Sequence, residues 1–294
     1  MVSRPGELPT VSVSNLKGGA AKTVSSVALA ESLACAGARV LLVDLDPQGT
    51  ASEWLAGRSG SATKLLTGGF DPGKHVDVVF VPGPPLEERR QNFFSPEHEG
   101  RVDMVTANRS LEDATERRAS DLSRRLEKLW QGAEEGYDIA VVDTPPQAGR
   151  LVTAALLSTA SVIVPVAAGR GAVDGLQHVL QYARRIGGAG VEATFACNVD
   201  VRTHLDKQVA ENLVDQFGPI SDEGRACQHY VRSTVSVREA EAAETPLGEY
   251  APQSTAWMDY QAIARELHDA SVLPAGPLPE EIGDAAQLDH EGST

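Results

Sequence analysis

The chain has 294 residues, 41% of them hydrophobic, which suffices to bury one large core. Its 41 acidic residues outnumber its 26 lysines and arginines, giving a net charge of −15. That balance excludes a wholly basic nucleic-acid coat, so any contact with DNA must come from a local patch.

The opening M-V-S-R-P-G-E-L-P-T lacks the apolar run of a secretory signal. Cys35, Cys197 and Cys227 lie far apart with no C-x-x-C pair, which argues against a disulfide framework or zinc site. A reducing, cytoplasmic setting is expected.

Along the chain, short Val/Ile/Leu-rich runs alternate with longer helical stretches. V-S-V-S (11–14) is a first strand, followed by a loop and the helix T-V-S-S-V-A-L-A-E-S-L-A. Further strands are predicted at 39–44, 76–81, 102–107, 139–144, 161–166 and 193–199. Residues 58–74 and 82–100, rich in Gly, Pro and charge, read as surface loops. An amphipathic helix is expected over about 110–133, with Ser110 as its N-cap.

Residues 151–168 carry no charge and are long enough to raise the question of a membrane span. Ser158, Thr159, Ser161 and Pro165 divide them, predicting a buried helix and then a buried strand. The strands lack period-two alternation, as a sheet covered on both faces requires. The expected architecture is therefore a single α/β domain, a doubly wound, mostly parallel sheet flanked by helices. It spans residues 10–272, between a short extension (1–9) and an acidic, Pro/Gly-bearing tail (273–294) expected to be disordered and outside the core.

Three stations point to nucleotide chemistry. N-L-K-G-G-A-A-K-T-V-S-S (15–26) lies between a strand and a helix, where backbone amides and the helix dipole favour phosphate. Gly18 and Gly19 allow close backbone approach, Lys22 can reach the β- and γ-phosphates, and the Thr23 hydroxyl can bind Mg²⁺. The string departs from G-x-x-x-x-G-K-[ST], because Leu16 and Ala21 stand where glycines belong. V-D-L-D-P-Q-G (43–49) places Asp44 and Asp46 at the carboxyl edge of the sheet. Y-D-I-A-V-V-D-T-P-P (137–146) ends a buried strand in Asp143, the position that holds Mg²⁺ directly or through water. Singly, the acidic pairs also suit solvated loops and turns.

Together these stations resemble the ParA family of partition ATPases, in the MinD/ParA group with a deviant phosphate loop. The family's K-G-G-x-G-K-T-[ST], D-x-D-P-Q-G and D-x-P-P correspond to Lys17–Val24, Asp44–Gly49 and Asp143–Pro146. The likeness continues through Pro165–Val166, D-G-L (174–176), V-D-V-R-T-H-L-D-K-Q-V (199–209) and R-E-A-E-A-A-E-T-P-L-G-E-Y-A-P-Q-S (238–254). It covers about residues 9–270, weakly between 58 and 100.

The resemblance implies an ATPase using ATP and Mg²⁺, slow and tied to dimerisation. It implies nucleotide contacts from Lys17, Gly18, Gly19, Ala20, Ala21, Lys22, Thr23, Val24, Asp143 and Asn198, and metal contacts from Thr23, Asp46 and Asp143. Asp46 would orient the attacking water. Lys17 would act as the signature lysine, reaching the partner's nucleotide across an ATP-bound homodimer, as an arginine finger does in trans. Ala21 in place of glycine is expected to be tolerable only at negative φ. Val24 replaces a phosphate-touching hydroxyl, and Gly169–Arg170 replace an acidic–aromatic pair.

The acidic, Pro-broken C-terminus argues against the basic amphipathic membrane helix of MinD-type members. With only about nine residues before the first strand, an N-terminal helix-turn-helix is not expected. The short ParA type remains, implying nucleoid-associated DNA segregation through nonspecific DNA binding and stimulation by a ParB-type partner. Arg202 matches a family DNA-contact arginine, and Arg232 and Arg238 flank the place of a second. Positioning of another cargo on the nucleoid, or a weakly hydrolysing regulator, stays open as an alternative.

Overall fold

The computed structural model describes residues 7–19, 21–57, 59–80, 100–169, 171–220 and 224–273. In chain order the first half comprises β1 (Thr10–Val13), α1 (Lys22–Cys35), β2 (Arg39–Asp44), α2 (Thr50–Leu55), α3 (Ser61–Thr67) and α4 (Pro72–His75). There follow β3 (Asp77–Phe80), β4 (Arg101–Val105), a 3₁₀ helix (Arg109–Glu116), α5 (Ala119–Ala133) and β5 (Ile139–Asp143). The second half comprises α6 (Arg150–Ser158), β6 (Ser161–Ala167), α7 (Ala172–Ile186), β7 (Gly190–Cys197) and α8 (His204–Phe217). Last come α9 (Val235–Ala242), α10 (Leu247–Tyr250) and α11 (Thr255–Asp269).

The seven strands form one sheet in the order β3-β4-β2-β5-β1-β6-β7. Every neighbouring pair is parallel except β3 with β4. Central strands such as Leu41–Val43 and Ile139–Val142 are buried on both faces, which explains their unbroken apolar runs. Leu29 and Leu33 of α1 pack with Tyr260, Ile263 and Leu267 of α11 over one face. Leu122, Leu126 and Leu129 of α5 cover the other beside Leu41 and Val43, and α7 and α8 extend that layer over β6 and β7. The uncharged run 151–168 is divided between α6 and β6 as the sequence predicts. Among the described residues no helix is long and apolar enough to cross a membrane.

Four boundary expectations are corrected. The helix expected over 110–133 is two elements: Asn108, not Ser110, accepts the capping bond from the Ser110 amide at 3.0 Å. Leu111 and Ala114 bury the first element at a three-residue spacing, and extended Arg117 and Arg118 separate it from α5. The loop expected over 58–74 contains α3 and α4, because Ala62, Leu65 and Leu66 have a core to bury against. The last strand starts at Gly190 rather than 193. Leu273, assigned to the tail, is buried and its amide bonds to the Leu267 carbonyl. The expectations for 82–99 and for 274–294 lie outside the described residues.

Candidate nucleotide site

β1 ends at Val13 and α1 begins at Lys22, so residues 14–21 form a loop at the carboxyl edge of the sheet. Asn15 anchors it. Its buried side chain donates to the Pro165 carbonyl at 2.8 Å and accepts from the Lys17 amide at 3.0 Å. A Cβ on Gly175 would stand 2.6 Å from Asn15 Oδ1, so the D-G-L motif carries glycine where α7 crosses this anchor. Gly18 and Gly19 are exposed, and Ala20 lies outside the described residues.

Ala21 overturns the expectation of negative φ: it adopts φ 54, ψ 24. The chain turns through a left-handed residue to enter α1, and alanine occupies that turn at a cost of about 1–2 kcal/mol. No side chain caps α1, so the first-turn amides of this 14-residue helix face the loop, as an anion site requires. Val24 packs into the core under α1, so its position offers no polar group to a phosphate.

Lys22 is 7% exposed. Burial pulls its pKa down, while the carboxylates of Asp143 and Asp46 pull it up. Asp143 is the register partner of both Val13 and Asp44 on its two neighbouring strands. Its Oδ1 accepts from Ser26 Oγ at 2.9 Å, the Thr23 hydroxyl lies close enough to draw its pKa down, and its buried Oδ2 has no hydrogen-bond partner. Burial lifts the Asp143 carboxyl above the ordinary range, against the pull of Ser26 and Thr23.

Asp44 departs from the expected pair of edge acids. It is fully buried and accepts from the Asp46 amide at 2.9 Å, the Ser52 amide at 3.1 Å and Ser52 Oγ at 2.7 Å. It therefore ties the D-P-Q-G loop to α2, and its burial raises its pKa. Asp46 is the half-buried, forward member, accepting from the Gln48 amide at 2.9 Å.

Lys17 is exposed, its Nζ 3.4 Å from the Gly171 carbonyl at the entry to α7. Asn198 sits just past β7 on the same sheet edge, exposed and left-handed with φ 56. The three arginines are not equivalent. Arg202 is 86% exposed and forms two bonds to Asp200, at 2.9 and 2.7 Å. Arg232 is mostly buried and bonds Asp259, itself fully buried, at 2.9 and 2.7 Å. Arg238 projects from α9 into solvent.

A divalent cation fits this donor set. The unpaired Asp143 Oδ2, the Thr23 hydroxyl and Asp46 converge on the loop, all hard oxygen donors. Among the described residues no group of three or more His, Cys, Asp or Glu side chains forms a closed cage. That is the expectation for Mg²⁺, which keeps waters and substrate phosphates as ligands. Asn15, Ser26 and Ser52 escaped the sequence reading. The i, i+4 spacing of Ser26 from Lys22 was the signal available for one of them.

Residues 8–193 match the AAA domain family model. The chromosome-partitioning ATPase Soj of Thermus thermophilus is 30% identical over 271 residues, covering 87% of this chain and 94% of that protein. The chromosome-partitioning ATPase Soj of Treponema pallidum is 28% identical over 261 residues, covering 86% and 94%. Among solved structures, the cell division ATPase MinD of Pyrococcus furiosus aligns with a TM-score of 0.67 at 16% identity, covering 89% of this chain and 98% of that one. That likeness is one of fold.

Proposed function

Because the chain belongs to the ParA family of AAA-domain ATPases, we propose that it hydrolyses ATP in a dimerisation-linked cycle that places it on nonspecific DNA. The observation that carries the reading is the loop geometry: uncapped α1 amides, buried Lys22 and the Asp143–Thr23 pair converge beside Asp46.

In this reading the α1 amides and Lys22 bind the β- and γ-phosphates. Asp143, Thr23 and Asp46 would hold Mg²⁺, which would supply charge neutralisation at the phosphate oxygens. Asp46, anchored through its backbone to Asp44, orients the attacking water. Lys17 supplies its charge to the nucleotide of a second copy, so turnover depends on dimerisation. Ala21 and Val24 contribute backbone rather than side-chain contacts, Ala20 remains a proposed nucleotide contact, and Asn198 borders the base or ribose from the β7 end. Arg202 and Arg238 meet DNA phosphates. Arg232, committed to Asp259, holds the 232–259 junction instead. A ParB-type adaptor stimulates the cycle on the nucleoid, serving segregation of DNA.

Anisotropy of a labelled random-sequence duplex, measured with ATP, ADP and no nucleotide, tests this function. Binding is expected with ATP alone, independent of sequence, and steeply weaker between about 50 and 200 mM salt. Equal binding with ADP, or tight preference for one sequence, would overturn it.

A further inference from the structure

Away from the nucleotide loop, between α5 and the α3–α4 segment, lies a cavity of about 360 Å³. Tyr137, just before β5, and Gly132–Ala133, at the end of α5, place it at the amino-terminal ends of the strands. Its floor is apolar: Leu41, Leu65 and Leu129 below, with Phe70 and Val76 from the α3–α4 segment. Its volume falls in the range of small-molecule sites, about 300–1,000 Å³.

Two cations stand on its lip. Arg125 and Lys128 both line the cavity, one helical turn apart on α5 and in line with Gly132. Among the described residues neither is engaged in an ion pair or hydrogen bond, whereas Arg124 beside them is paired with Asp121. The Arg125 guanidinium lies across Gly68, at 3.6 Å from where a Cβ there would stand. Both cations line this one apolar cavity of a chain whose net charge is −15, which leaves them available to an anion. An apolar floor favours a hydrocarbon body, and a cationic lip favours an anionic head.

We propose that this cavity binds a monomeric anionic amphiphile, a single carboxylate on an apolar body, with Arg125 and Lys128 on the head and Leu65 and Leu129 along the chain. At about 30 Å³ per water-sized group, the cavity admits roughly a dozen such groups, which suits a chain of about ten carbons. The site is remote from the phosphate loop and does not depend on the ATPase cycle proposed above.

Isothermal titration of the full chain with decanoate, below its micelle concentration, tests this. Decanol and decyltrimethylammonium serve as neutral and cationic controls. Saturable one-to-one binding of decanoate is expected, at least tenfold tighter than either control. Arg125→Gln with Lys128→Gln should remove that preference. Gly132→Leu should abolish binding by filling the cavity, since a Cβ at Gly132 meets nothing within 4 Å and the helix tolerates leucine. An unchanged melting temperature and unchanged ATP turnover in each variant show that the fold and the nucleotide site are intact. Equal binding of the cationic control, undiminished binding by Gly132→Leu, or no binding to the wild type would overturn the proposal. Preferential sedimentation with phosphatidylglycerol vesicles that Gly132→Leu abolishes would also overturn it, in favour of a membrane surface.

Discussion

Asp44 and Asp143 are register partners on adjacent parallel strands, both fully buried, yet they present their oxygens in opposite ways. Asp44 accepts three bonds from the D-P-Q-G loop and α2, whereas Asp143 leaves Oδ2 without a partner beside Lys22. Asp44 is thereby a positioning residue for the loop that carries Asp46.

Asp46→Ala and Asp44→Ala should separate accordingly. Loss of Asp46 should slow hydrolysis while leaving phosphate contacts intact, so the variant accumulates as an ATP-bound dimer on gel filtration. Loss of Asp44 leaves Ser52 and two amides unpaired and should cost about 2–3 kcal/mol of stability in denaturant titration. A monomeric, fully hydrolysing Asp46→Ala protein would transfer the catalytic assignment elsewhere.

Lys22 and Lys17 should also part company. Lys22 is buried among carboxylates at the mouth of α1, so Lys22→Ala should abolish measurable ATP binding. Lys17 is exposed and turned toward Gly171, so Lys17→Ala should retain nucleotide affinity within a few-fold and lose dimer-linked turnover. Equal losses of nucleotide affinity would remove the trans role from Lys17.

Ala21 sits at φ 54, where a Cβ is strained. Ala21→Gly should raise stability by about 0.5–1 kcal/mol after glycine's extra unfolded-state entropy, and Ala21→Val should lower it by more than that gain. Chemical denaturation of the three proteins decides. A destabilised Ala21→Gly would mean that the turn is relaxed as it stands.

This residue also marks where the sequence stops being legible. Apolar strand runs and their spacing predicted the parallel sheet because burial on both faces leaves a compositional trace. K-G-G, D-x-D and D-x-P-P pointed to the candidate site because each motif ends or follows a strand at one sheet edge. What the motifs did not carry was which acid points forward. Asp44 and Asp46 differ only in a tertiary partner, Ser52, eight residues beyond Asp44. Nor did composition reveal α3, whose Gly-flanked, polar sequence folds because Leu65 and Leu66 find the α5 layer.

Glu31 should make the protein lose stability with rising pH. It is buried in α1, with Oε2 accepting from the Gly248 amide at 3.2 Å and Oε1 unpaired, and burial pushes its pKa up to about 8. A raised folded-state pKa means the folded protein holds the proton more tightly. Its stabilising contribution is thus complete below about pH 4.5 and disappears as pH climbs through about 8. Glu31→Gln should match the wild type at pH 4.5 and exceed it by on the order of 5 kcal/mol above pH 8. Parallel melting curves across that interval would expose a flat difference, which would rule out this role.

Asp200 restrains the charge on which the proposed DNA contact depends. The Arg202 guanidinium is 86% exposed but doubly bonded to Asp200, at 2.9 and 2.7 Å. Those bonds hold the Asp200 carboxyl down at about 2 and raise the pKa of Arg202. The pair is therefore ionised and nearly neutral in sum, so the Asp200 carboxylate offsets the attraction of Arg202 for a DNA phosphate even where the remaining guanidinium N–H groups reach it. Asp200→Asn should tighten ATP-dependent, sequence-independent DNA binding several-fold and steepen its salt dependence by about one phosphate contact per copy. Arg202→Glu should weaken binding uniformly across sequences, and both variants should hydrolyse ATP at the basal rate, since neither residue touches the phosphate loop. In the proposed dimer either change would count twice, because the second patch would bind intramolecularly once the first is engaged. An Asp200→Asn protein that binds duplex no more tightly than the wild type at 50 mM salt would move the DNA face away from Arg202 and toward α9 with Arg238.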